Sequence, residues 1–127
     1  MKVDFFVVSE GAFCHDGSFT IVGMFDTVKA NSFPYKLNVG IALKMSFNPQ
    51  SSWEENFKIC IYKKGEENEV YSFEGKMPEK QNGEGKLALV ANIQGLVIPT
   101  AGIYNMVLFL GEKQKANYEF KVIEHGK

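Results

Sequence analysis

The sequence predicts an all-β protein, two antiparallel sheets packed as a sandwich with about eight or nine strands, and three observations carry that prediction. Apolar residues recur at every second position in several separate runs. Turn residues punctuate those runs at short intervals. No window sets apolar residues at i, i+3, i+4 and i+7 among helix-forming neighbours.

The strand signals fall at residues 2–9, 12–15, 18–25, 37–47, 56–63, 69–75, 86–93, 102–111 and 114–123. The first opens on Val3-Asp4-Phe5-Phe6-Val7-Val8 and stops at Ser9-Glu10. Asp16-Gly17 then separates Phe13-Cys14 from Phe19-Thr20-Ile21, a hairpin signal because glycine tolerates positive φ. The alternation is longest from Leu37 to Phe47, where every odd position is apolar and the even positions are Asn38, Gly40, Ala42, Lys44 and Ser46. A period of two over that length means one face on a core and one towards water. Phe57, Ile59 and Ile61 repeat the pattern, and so do Leu87, Leu89, Ala91 and Ile93. Lys63 to Asn68 turns the fifth signal into the sixth, and Gly111-Glu112-Lys113 turns the eighth into the ninth. Two longer polar loops hold Pro49 and Pro78; the first contains Ser52-Trp53-Glu54-Glu55, whose spacing could cap one helical turn.

Pro99-Thr100-Ala101-Gly102-Ile103-Tyr104 precedes the last hairpin. In immunoglobulin-like sandwiches a P-x-x-G-x-Y run begins a late strand, its Tyr tucked under the corner, so the expected sandwich is immunoglobulin-like. No linker, repeat or composition break divides residues 1–127, and a single domain is expected.

Composition excludes several classes of function. The 127 residues carry 14 basic and 15 acidic side chains, net charge -1, and every basic one is Lys. A nucleic-acid or acidic-membrane binder would show a basic excess, and the guanidinium fork that grips phosphates and guanines is missing. With 45% apolar and 13% aromatic residues the chain has the material for a core, which argues against disorder. A secretory signal needs an apolar run of roughly 7 to 15 residues behind a basic start. Here Asp4 and the Ser9-Glu10 step leave no room for one, and a cytoplasmic location is expected. No run approaches the roughly 18 apolar residues of a membrane span. Cys14 and Cys60 have no C-x-x-C spacing and are expected to be free thiols.

The opening residues 3–12, Asp16-Gly17-Ser18-Phe19 and Ile21-Val22-Gly23-Met24-Phe25-Asp26, with the P-x-x-G-x-Y run and the closing hairpin, resemble a family of small uncharacterised bacterial proteins, a domain of unknown function. Such proteins begin with an acidic-hydrophobic strand, a tight glycine turn, and a strand ending in a glycine-rich step before an aromatic and Asp. Gly23 is the single glycine at that step here, where the family is usually richer. The resemblance implies a β-sandwich and brings no reaction, cofactor or ligand.

Candidate chemistry is sparse. Cys14-His15-Asp16 holds the residue types of a nucleophile, base and orienting carboxylate, but neighbours in a strand point to opposite faces, and the turn explains the same residues. Asp4, Asp16 and Asp26 are too widely spaced for a calcium loop, and Gly83-Glu84-Gly85 leads into a strand rather than a helix, so it cradles no phosphate. No catalytic residue, cofactor or metal site is assigned, and a non-enzymatic role is expected. Trp53, with Phe33 and Tyr35 beside Pro34, could stack on a small ligand or a sugar, or lid the core.

The chief oddity is hydrophobicity on both faces of residues 103–110. Because a buried Asn105 would need partners, Tyr104, Met106, Leu108 and Leu110 are assigned inward, leaving Val107 and Phe109 outward. The same logic puts Val3, Phe5 and Val7 inward and Phe6 and Val8 outward. If the strands were neighbours, Phe6, Val8, Val107 and Phe109 would form an exposed patch. The expectation is an interaction module that self-associates, as a homodimer, through that patch. The alternative is a ligand- or carbohydrate-binding module using Trp53, Phe33 and Tyr35.

Overall fold

The computed structural model describes residues 2–16, 18–48, 56–77 and 85–125. Among these residues nine strands form two sheets, with no helix. One sheet has the order β2-β1-β4-β7, from β1 (Lys2–His15), β2 (Ser18–Met24), β4 (Tyr35–Ser46) and β7 (Lys86–Ile98). The other has the order β3-β9-β8-β5-β6, from β3 (Thr27–Ala30), β5 (Asn56–Lys63), β6 (Glu69–Lys76), β8 (Gly102–Leu110) and β9 (Lys113–Glu124). All pairings are antiparallel except β3 with β9.

The period-two pattern dictates the core. Leu37, Val39, Ile41, Leu43 and Met45 of β4 meet Phe57, Ile59 and Ile61 of β5 and Tyr104, Met106, Leu108 and Leu110 of β8 in one buried cluster. Each such side chain contributes about 1.5–3 kcal/mol by leaving water, so the alternation is also the main source of stability. The P-x-x-G-x-Y run behaves as expected. Tyr104 is fully buried, its hydroxyl donates to the Thr100 carbonyl at 2.6 Å, and its ring stacks on Phe120 with centroids 5.8 Å apart.

The expected phase of the first strand holds at Val3 and is wrong from Phe5 onward. Phe6 and Val8 lie in the core, and Phe5 and Val7 face outward. Val3 pairs with Met45 but Phe5 pairs with Lys44, so β1 holds one extra residue at Asp4. Because side chains alternate strictly, that bulge moves every later residue of the segment to the opposite face. The Ser46 hydroxyl donates to the Asp4 carboxylate at 2.6 Å and holds the extra residue outward.

Three boundaries also differ. Residues 2–9 and 12–15 belong to one continuous β1, β3 was not foreseen, and β7 runs past Ile93 to Ile98. A second bulge carries β7 onward. Leu37 pairs with Leu96 while Val39 pairs with Ile93, and Gly95 sits at φ 70° with its N–H donating to Asn38 Oδ1 at 3.1 Å. Trp53 and the Ser52–Glu55 spacing lie outside the described residues, as does the Gly83-Glu84 step.

Candidate functional site

Two surfaces stand out, one on each sheet. The first is made by β1 itself. Residues 2–9 pair with β4 and residues 9–15 pair with β2, and the strand changes course between the two. Gly40 shows where it goes. A Cβ on Gly40 would lie 2.5 Å from the backbone of Gly11 and Ala12, so the chain crosses the place where an outward side chain would stand. The buried Ser9 hydroxyl donates towards the Gly11 carbonyl at 2.9 Å and the Gly40 carbonyl at 3.2 Å. Asn92, the β7 partner of Gly40, bonds both backbone groups of Ala12. Phe19 of β2 meets Phe5 edge-on at 5.0 Å. The β1–β2 hairpin is therefore an arm folded over the outer face of its own sheet, and Ala12 and Ala42 are both fully buried.

Covering that face with one side of the arm leaves the other side bare. Phe13, Val22 and Met24 are 59%, 50% and 59% exposed. Gly11 pairs with Val22, Ser9 with Met24 and Phe13 with Thr20, so these residues share one side of the hairpin. Strand β2 is also a sheet edge and reads Ser-Phe-Thr-Ile-Val-Gly-Met, without a charge or a proline. The other edges differ: β3 and β6 carry Lys29, Glu69, Glu74 and Lys76, and β7 is broken by its bulge.

The second surface is the outer face of the β9-β8-β5-β6 sheet. Val107 pairs with Cys60 on one side and Asn117 on the other, and Phe109 with Lys58 and Gln114. An open groove of about 380 Å³ runs over Val107 and Phe109, flanked by Asn105, Gln114 and Asn117 and ended by the turn after β5. Beside it Glu69 hydrogen-bonds with Cys60 and Ser72, which holds its carboxyl below the usual range. Burial, then the bond to Glu69, pushes the Cys60 thiol up, and burial, then the bond to Cys60, raises Tyr62. Cys60 is thus a neutral, packed thiol rather than an activated one.

The residues expected to act together are divided. Val107 and Phe109 do face outward, but they lie on the opposite sheet from β1, and Phe6 and Val8 point into the core, so the four form no common patch. Phe33, preceding a cis bond to Pro34, and Tyr35 pack against the core rather than standing free. Trp53 is outside the described residues. His15 and Asp16 approach at 3.3 Å while both are more than nine-tenths exposed, at the tip of the arm. Both cysteines are free. The exposed side of the arm was missed because a fold-back leaves no mark in alternation; Gly40, inside a strand, was the available signal.

Among the described residues no group of three or more His, Cys, Asp or Glu could hold a metal ion, and no helix is long and apolar enough to cross a membrane. No curated protein matches the chain. Among solved structures it is similar to an immunoglobulin-like protein from Pseudomonas aeruginosa, with 12% identity, 96% of this chain and 95% of that chain covered, and a TM-score of 0.45. Residues 4–123 match DUF6941, a family of unknown function, and the chain belongs to that family.

Proposed function

We propose that this domain is a non-enzymatic interaction module that self-associates through the β1–β2 arm, with β2 of one copy against β2 of a second. The observation that carries this reading is the coincidence of an apolar side bearing Phe13, Val22 and Met24 with an edge strand that lacks charge and proline. Sheet edges left open in this way invite another strand, and stable monomers usually blunt them with lysine, proline or a bulge. A second copy is the simplest occupant. A two-fold pairing of β2 with itself needs no other surface, satisfies the free backbone groups, and brings both apolar sides together. Val107 and Phe109 play no part in this contact.

Light scattering coupled to size exclusion tests the reading. A dimer is expected, converted to monomer by Val22→Lys, which places a charge in the middle of the contact, while circular dichroism stays unchanged. A monomer at high protein concentration defeats the proposal, and so does a dimer that Val22→Lys leaves intact.

A further inference from the structure

The groove on the outer face of the β9-β8-β5-β6 sheet has the makings of a second, independent site. Its floor is apolar: Val107 is 7% exposed although it points away from the core, and Phe109 beside it is half-buried. Its sides are carboxamides, Asn105 on the same strand and Gln114 and Asn117 on β9. Among the described residues none of these three side-chain amides has a hydrogen-bond partner, so each offers a donor and an acceptor outward.

The charges around the groove are already engaged or balanced. Lys64 lies 3.7 Å from Glu119, the residue that pairs with Asn105, and Lys63 Nζ donates to Thr100 Oγ1 at 2.8 Å. Glu66 adds one more negative group at the turn. Among the described residues around the groove, Lys58, Lys63 and Lys64 are matched by Glu66, Glu69 and Glu119, so no net positive charge draws a phosphate, and three amides are too polar a wall for a purely apolar molecule.

We infer that this groove binds a neutral saccharide, one or two rings in size. A sugar ring presents an apolar C–H face and a rim of hydroxyls that each donate and accept. The first fits the Val107–Phe109 floor by dispersion, and neighbouring hydroxyls match the oxygen and NH₂ of a carboxamide. A volume of about 380 Å³ is at the lower end of the range for small-molecule sites and suits that size. The inference stands apart from self-association, because the arm belongs to the other sheet.

The experiment is an amide NMR titration of the isotope-labelled full chain with glucose, galactose, mannose, N-acetylglucosamine and cellobiose, with sodium phosphate as the ionic comparison. Saturable shifts at Asn105, Val107, Phe109 and Asn117 are expected with at least one saccharide and not with phosphate. Asn117→Ala, an exposed change that leaves the fold alone, and Phe109→Ala should each weaken that binding by roughly tenfold. Absence of saturable shifts with all five saccharides overturns the inference. So do shifts that appear only with phosphate, that lie outside the groove, or that persist at the same affinity in Asn117→Ala.

Discussion

The side-chain amide of Asn92 stands in for a β-strand partner of Ala12: its Oδ1 accepts from the Ala12 N–H at 3.1 Å and its Nδ2 donates to the Ala12 carbonyl at 2.8 Å. The two residues are 80 positions apart, and Ala12 is fully buried. A backbone in that situation has no water to turn to, so both bonds matter. Asn92→Ala should destabilise the domain by about 1–3 kcal/mol, the cost of stranding buried polar groups. Urea unfolding measures it, and hydrogen exchange should show faster exchange in the arm than in β4 or β8. Uniformly faster exchange over the whole sheet would falsify a local latch.

Gly40 makes the fold-back possible for a steric reason, since the Gly11–Ala12 backbone occupies the space of its missing side chain. The obstructing atoms are main-chain and cannot swing aside as a flexible side chain could. Gly40→Ala is expected to cost at least about 1–3 kcal/mol, or else to lift the arm. Lifting would uncover Ala42 and break the Phe5–Phe19 contact, giving a rise in binding of a hydrophobic dye. Unchanged stability together with unchanged dye binding contradicts the packing described.

How far the sequence discloses this structure depends on whether a strand keeps its phase. In β4, β5 and β8 it does, and the inward residues read from alternation are the buried ones. In β1 the extra residue at Asp4 resets the phase, and nothing in Val3-Asp4-Phe5-Phe6 separates a bulge from a regular strand with Asp4 outward, since Asp4 faces water either way. β3 is hidden because Thr-Val-Lys-Ala is short and pairs in parallel with β9, so no hairpin turn announces it. Of the candidate sites, Val107 and Phe109 were legible because Asn105 sets their phase, whereas Phe13, Val22 and Met24 were not. Their exposure follows from tertiary fold-back, which the missing side chain of Gly40 permits.

Tyr104 anchors the corner before β8 through a single bond to the Thr100 carbonyl, four residues upstream. Tyr104→Phe keeps the ring that stacks on Phe120 and removes only the hydroxyl. The expected loss is about 1–2 kcal/mol, more than an average hydrogen bond, because an acceptor in a partly buried corner loses its donor. Tyr118 offers an internal comparison, as its hydroxyl donates to the Phe25 carbonyl at 2.6 Å and ties β9 to the segment entering β3. Tyr118→Phe should cost a similar amount but loosen β3 rather than the corner. Thermal unfolding of the two variants, with exchange rates at residues 27–30 and 99–104, separates the effects.

The buried thiol makes stability fall on the alkaline side. Burial, then the bond to Glu69, holds the Cys60 proton more tightly in the folded chain than in the unfolded one. A folded pKa above the unfolded value means that the contribution is fully present below the unfolded thiol's pKa and is lost as pH rises through the folded one. As pH climbs past the ordinary thiol range the unfolded chain ionises first and gains stability relative to the fold. Unfolding free energy, followed by urea titration at a series of pH values, should therefore decline from mildly alkaline pH upward. Cys60→Ala should flatten the part of the decline nearest the thiol range, leaving the limb that Tyr62 and Tyr118, raised chiefly by burial, impose at higher pH. Parallel curves for wild type and Cys60→Ala across that interval would show that the thiol is not the titrating group.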